Sequence, residues 1–426
     1  MQTSLRTAFL HCISFILPFA SFLTLPAHAA SQPKPDLFYD LHYRAQFQPE
    51  AGTVHVELHL KGNHLPRKLV LKIDPKRQRA FTSTDPLETT AKSVTWQPQG
   101  KSARLAYDFV VNHERSSGAF DSLMTKDWAL FRGDRMVPKV SVTAPRNLKS
   151  HATLEFVLPK GWSALTPYER ESGEPRTFDD PKRRFDRPQG WMIVGKLGTR
   201  SEKIADIHTI IASPAGEDTR RQDTLAFLNW NLPLLAGIFQ SFPSRLLIVS
   251  AGDPMWRGGL SAPASLFVHS HRPLISENRT STLLHELVHV AMGIHGDHES
   301  DWIVEGFAEF YSIESLRRSG GISKDRYDDA MQKLGSWGSR APTLFVKSSS
   351  GATTARAVIA LHKADDEIRH ATGGKGSLDD VARELAHRQG KVSLPLLQSI
   401  AEKVAGRRVQ SLERAQLSAP PGSPAR

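Results

Sequence analysis

The sequence predicts a multidomain α+β protein in which a β-rich N-terminal part precedes a mainly helical C-terminal part. Three observations carry this reading. The 426 residues suffice for two or three domains, each with a core of its own. Segments between 31 and 215 are short, partly alternating and rich in Val, Ile and aromatic residues, the pattern of antiparallel strands. Beyond about residue 220, apolar residues recur at helical spacing over longer runs.

Residues 1–30 read as a secretory signal. Arg6 supplies a weak basic start, 8–25 are largely apolar, and Ala27-His28-Ala29 has the small-x-small form of a cleavage site, with cutting near Ala29 or Ala30. Pro18 and Pro26 interrupt the apolar run and disfavour a retained anchor, so the mature chain is expected to have no integral membrane segment. Cys12, the single cysteine, leaves with the signal, so stability must rest on a core or a metal and not on disulfides. The expected location is the periplasm or outside the cell. Formal net charge is +11, but the basic residues are scattered (Arg67-Lys68, Lys182-Arg183-Arg184, Arg407-Arg408), without interleaved aromatics or zinc-finger spacing. Nucleic acid is therefore not the expected partner.

The N-terminal domain, 31–215, is expected to be an antiparallel sandwich or large curved sheet with strands at 41–47, 54–60, 69–73, 103–111, 140–143, 152–158, 191–194 and 204–211. The stretch 166–188, dense in Pro and charge, reads as a surface loop. The second domain, 216–412, opens with a helix at 225–239 and strands at 245–249 and 265–269. Helices follow at 280–292, 302–318, 323–333, 355–368, 378–388 and 394–404, and 413–426 reads as a disordered tail.

The chemistry concentrates in His285-Glu286-Leu287-Val288-His289 and in Trp302-Ile303-Val304-Glu305-Gly306-Phe307-Ala308-Glu309-Phe310-Tyr311. Residues four apart share a helix face, so His285 and His289 can direct two imidazoles at one ion. A zinc site needs a third protein ligand and an open position. Glu305 is the first candidate, because Gly293 and Gly296 break the chain between two helices that can then lie side by side. His295 is the competitor, at the spacing of H-E-x-x-H-x-x-G-x-x-H, but the place of its turn glycine is taken by Met292. His298 is a weaker candidate. Glu286 lies about 100° around the helix from His285, beside the ion, where a carboxylate can take a proton from zinc-bound water. Glu309, one turn past Glu305, is a candidate acceptor for the second N–H of a ligand histidine. A strand beside such a helix can hold an extended peptide by backbone pairing. Gly258, Gly259, Leu260 and Phe267 are its candidate residues.

Together these two helices resemble those of the gluzincin metallopeptidases, within them the M1 and M61 aminopeptidase families. The run from Ile368 to Arg383, with Thr372-Gly373-Gly374-Lys375-Gly376-Ser377-Leu378-Asp379-Asp380, looks especially like the M61, glycyl-aminopeptidase-like family. The resemblance implies an N-terminal β domain, a thermolysin-like (gluzincin) catalytic domain and C-terminal helices. It implies zinc-dependent cleavage of peptide or protein substrates by an aminopeptidase-like enzyme, with one Zn2+ on His285, His289 and Glu305 and Glu286 as general base. Two departures stand out. Gly258-Gly259-Leu260 is followed by Ser261-Ala262-Pro263, with no carboxylate for a substrate ammonium. The position of the family's oxyanion-binding tyrosine falls among Thr353, Thr354 and Arg356, leaving Arg356 or Tyr327 as substitutes. Two rival readings follow: a non-catalytic relative that binds a peptide or partner, and a metzincin-like peptidase using His295.

Overall fold

Alternation along the strand Leu37–Gln48 sets the first layer: Tyr39, Leu41, Tyr43, Ala45 and Phe47 are buried on one face, and polar residues lie between them on the other. The computed structural model describes residues 35–169, 174–180 and 183–418; the expected signal and the residues from 419 onward lie outside them. All the elements described below belong to one compact unit, Asp36–Arg426.

Leu37–Gln48 is central in a six-stranded sheet, antiparallel to Thr53–Lys61 but parallel to Leu148–Val157. The parallel pair departs from the expected all-antiparallel domain. Alternation reports which face is buried and carries no information on the direction of a partner that arrives a hundred residues later. A four-stranded sheet that includes Lys68–Lys72 and Ser93–Trp96 shares a core with the first, built on Leu58, Leu71, Trp96, Tyr107 and Phe109.

A five-stranded sheet containing Trp128–Arg132 and Trp191–Gly195 joins this region to the next. It places Ala129, Phe131, Met192 and Val194 in the first core and Leu130, Trp191 and Ile193 in another, shared with Ile210, Leu247, Val249 and Phe267. Those last residues come from a second five-stranded sheet, ordered Leu197–Ile204, Ile207–Pro214, Arg245–Val249, Ser265–Val268, Gly259–Ala262. Its three inner strands are parallel and buried on both faces, with Ile211, Ile248 and Leu266 turned to the helices. The sheet draws strands from both sides of the boundary read at 215/216, because Leu197–Pro214 completes it.

The helices Arg221–Phe239, Thr282–Met292, Asp301–Arg318, Ala352–Thr372, Leu378–Arg388 and Leu394–Ala405 surround one apolar core that includes Leu287, Trp302, Phe307, Leu361 and Leu385. Their ends follow local chemistry. Ser281 Oγ accepts from Leu284 N, Gly293 closes Thr282–Met292 at φ 57°, and Ser377 forms a capping box with Asp380. The tail expected from 413 is in part ordered: Arg414–Ser418 is a short helix and Leu417 is buried. Its one apolar anchor, Leu417, packs on the helical core and overrides the polar composition around it.

Candidate metal centre

Two helices build the centre. Thr282–Met292 is apolar on most sides, burying Leu283, Leu284, Leu287, Val288, Ala291 and Met292, which leaves His285 and His289 on the one face that meets Asp301–Arg318. Gly293 turns the chain, 294–300 cross over, and Asp301–Arg318 returns alongside. Ser300 holds its N-cap position, without a side-chain capping bond.

This brings His285, His289 and Glu305 together. His285 Nε2 lies 3.1 Å from His289 Nε2 and 3.3 Å from Glu305 Oε2, and His289 Nε2 lies 3.6 Å from Glu305 Oε1. A tetrahedral zinc with bonds of about 2.0–2.1 Å separates its donors by roughly 3.3 Å, so the donor set fits the ion in type and spacing. The side chains keep 16–29% exposure, which leaves one side open toward a cleft. Glu309 Oε2 is 2.9 Å from His285 Nδ1, fixing the ring so that Nε2 faces the other donors. The donors are strongly coupled. Burial pushes the His285 imidazole down, but Glu305 and Glu309 on its two nitrogens outweigh that and raise it. Burial and the neighbouring His285 charge push His289 down.

Glu286 stands beside the donors and is 8% exposed. Burial raises its pKa, only partly offset by His285 and by hydrogen bonds from Ser261. Ser261 lies on the edge strand Gly259–Ala262, which packs closely on the helix: a Cβ at Gly259 would come within 2.6 Å of Thr282 Cγ2 and 2.7 Å of Glu286 Cγ. Only glycine lets the strand approach the carboxylate so closely.

The cleft in front, with a volume of about 570 Å3, is lined by these residues together with Trp256, Gly258, Leu260, Arg272, Thr280 and Val304. Several sequence-predicted residues are elsewhere. Phe267 is 1% exposed, its ring 5.4 Å from that of Trp191 in the core, so it holds the sheet together and does not line the cleft. The outer strand that borders the cleft is Gly259–Ala262, and Gly258, Gly259 and Leu260, the substrate-strand candidates from the sequence, line the cleft. Arg356 donates to Ala341 O and Leu417 O, both at 2.8 Å, as a buried clamp on the short helix Arg414–Ser418. Tyr327 lines a second cavity of about 720 Å3 at the far end of Asp301–Arg318, with Glu314, Arg317, Arg318 and Asp365. Neither lines the cleft. His295 is exposed on Ile294–Gly296, paired with Gly390–Val392, and is not among the gathered donors. Gly293, one place late for a metzincin-like turn, ends the helix and sends His295 outward.

The Thr372–Arg383 run also lies outside the cleft lining. Asp379 accepts from Tyr311 Oη at 2.9 Å and from Arg318 at 2.7 Å, while Asp365 accepts from Leu378 N at 2.7 Å, so the run latches its helices onto the one that carries Glu305.

A second set of donors, Asp253, His269 and His271, also lies within 4.8 Å. Arg257 takes both carboxylate oxygens of Asp253. His269 Nδ1 accepts from His271 N at 3.2 Å, which puts the proton of the neutral ring on Nε2, 3.3 Å from Asp253 Oδ1. That is the arrangement of a loop clamp.

No family model and no curated protein matches the chain. Among solved structures it is similar to an aminopeptidase N family protein from Idiomarina loihiensis, with TM-score 0.63 and 14% identity over 82% of this chain and 70% of that one. It is also similar to an M1 zinc metallopeptidase from Deinococcus radiodurans, with TM-score 0.54 and 18% identity over 91% and 96%. At such identities the likeness is one of fold alone: the chain shares the overall fold of these two structures. Among the described residues no helix is long and apolar enough to cross a membrane.

Proposed function

We propose that the protein is a zinc-dependent peptidase of gluzincin type that acts on peptides after export; the secretory signal read at residues 1–30 and the resemblance of the run 368–383 to the M61 family support this reading. The observation that carries the reading is the convergence of His285, His289 and Glu305 within 3.1–3.6 Å, with the Glu286 carboxylate buried beside them. Held there, zinc would supply a Lewis acid that lowers the pKa of coordinated water toward about 7 and polarises a carbonyl. The chain's own residues supply the remaining parts. The backbone of Gly259–Ala262, an outer strand of its sheet, can pair with an extended peptide and lay a scissile carbonyl beside Glu286. Glu286, enclosed by the strand and the helix, takes the proton of the attacking water and passes it to the leaving amine. Glu309 keeps His285 oriented.

Glu286→Gln is expected to retain one zinc per chain and to lower kcat about 100- to 10,000-fold on a peptide library. Normal turnover by that variant would overturn the mechanism. A non-catalytic reading has one observation in its favour: no tyrosine lines the cleft among the described residues. Stoichiometric zinc without turnover on that library would select it.

A further inference from the structure

The cleft has an unequal supply of charges. Its carboxylates are Glu286, Glu305 and Glu309, and all three are engaged: one as the candidate base, one among the metal donors and one on His285 Nδ1. None is left over for a substrate ammonium. Arg272, by contrast, lines the cleft and has no ion-pair partner among the described residues. It is also held in place. Its Nε donates to Arg257 O at 3.0 Å, which uses the one guanidinium nitrogen that faces backbone and leaves the outer two free. The carbonyl it grips belongs to a loop made rigid by the Asp253–Arg257 pair, by His269 N donating to Gly258 O and by Arg272 N donating to His269 O. Trp256 forms the neighbouring wall. Its ring lies over Gly258, where a Cβ would come within 2.2 Å, and Arg115 stacks above it at 4.3 Å.

Position along the strand sets the reach. Arg257, which holds Arg272, is two residues before Gly259, the residue pressed against Glu286. Consecutive Cα atoms are about 3.8 Å apart, so this anchor lies no more than about 8 Å along the chain from the strand position opposite the candidate base. The Arg257 carbonyl and the 3.0 Å hydrogen bond to Arg272 Nε extend this to about 12 Å at the outer nitrogens, and an extended peptide advances about 3.3 Å per residue, so the guanidinium stands within roughly four substrate residues of the scissile bond. A planar guanidinium with two free nitrogens matches a carboxylate.

Resting on the peptidase reading above, we propose that the substrates are peptides with a carboxylate within about four residues of the cleaved bond, held by Arg272. That carboxylate is either an Asp or Glu side chain or the peptide's own C-terminus. This is a specificity for anionic peptides and is opposed to capture of a free amino terminus.

The test uses the full zinc-loaded chain and quenched peptides of one core sequence. Glu replaces Gln in turn at each of about four positions on either side of the bond, and each peptide is made with a C-terminal acid and with an amide. The wild type is expected to prefer one acidic series by about five- to tenfold in kcat/KM, mostly through KM, with the preference shrinking at high salt. If the preference follows the side chain, the source is Asp or Glu; if it follows acid over amide, the source is the terminus. Arg272→Ala should abolish it, Arg272→Glu should invert it, and Arg272→Lys should restore part of it. Equal handling of all series by wild type and Arg272→Ala overturns the proposal while leaving the peptidase reading intact. If no peptide is cleaved, that reading fails, and binding of fluorescent acidic and neutral peptides to zinc-loaded Glu286→Gln protein decides the Arg272 assignment by itself. Equal affinities in that assay overturn it.

Discussion

Among the described residues, two places bring two histidines and a carboxylate within 4.8 Å, and they differ in what surrounds the donors. Around His285, His289 and Glu305, the outer partner is an acceptor: Glu309 takes the Nδ1 side of His285 and turns Nε2 inward. Around Asp253, His269 and His271, the outer partners are a cation and a donor. Arg257 occupies the carboxylate, and the His271 N–H faces the nitrogen that would need its proton if Nε2 were to ligate. Proximity of donors is common to both. The placement of protons and competing charge separates a metal set from a clamp.

Breaking that contrast is straightforward. The largest effect is expected from the ligands themselves: His285→Ala, His289→Ala or Glu305→Ala should reduce zinc affinity more than the about 10- to 100-fold typical of outer-shell changes. His269→Ala and His271→Ala should leave the metal content of the purified protein at one zinc per chain. A second zinc in the wild type, removed by either of the latter changes, would contradict the clamp. Next in size, Glu309→Ala should weaken zinc binding about 10- to 100-fold in a competition titration, since His285 loses the acceptor that orients it. Retention of full affinity would mean that packing alone fixes the ring.

The smallest effect is one of pH. Burial lowers the His269 pKa, partly offset by Asp253, so the folded protein holds this ring neutral more firmly than the unfolded chain does. The unfolded state binds the extra proton as pH falls below about 6.5, and this group's contribution to stability is present above that pH and lost below it. Replacing His269 by Gln should therefore flatten the dependence of melting temperature on pH below about 6.5. An unchanged slope would show that other groups dominate there.

Local pattern made much of the helical half legible. The helix expected at 378–388 matches Leu378–Arg388, and Ser377 with Asp380 caps it, because a cap and an amphipathic stripe lie within a few residues of each other in sequence. The helices expected at 280–292 and 302–318 are observed as Thr282–Met292 and Asp301–Arg318. The sheets were less legible. The parallel pairing of Leu37–Gln48 with Leu148–Val157 joins segments more than a hundred residues apart, and nothing local specifies it. Gly258, Gly259 and Leu260 were legible as substrate-strand candidates, but the bounds of Gly259–Ala262 were not, for a different reason. A strand of small residues has no apolar alternation, and its glycine is there for closeness to Glu286. The Thr372–Arg383 run, which stands out as a motif, is a structural latch on the glutamate-bearing helix.

By itself the sequence determined which side chains could gather. Positions four apart on one helix share a face whatever the rest of the chain does, so His285 and His289 had to be neighbours once 280–292 was helical. It also determined that Glu286 would stand to one side of them. Only the tertiary structure shows that Glu305, and not His295, lies beside the two histidines, that Phe267, Arg356 and Tyr327 lie away from the cleft, and that Arg272 stands in its lining without an ion-pair partner among the described residues. The physical reason is range. A helix period is set by backbone hydrogen bonds within a few residues, whereas the partner of a helix depends on how Gly293 turns the chain and on which faces the sheet and the core have already covered.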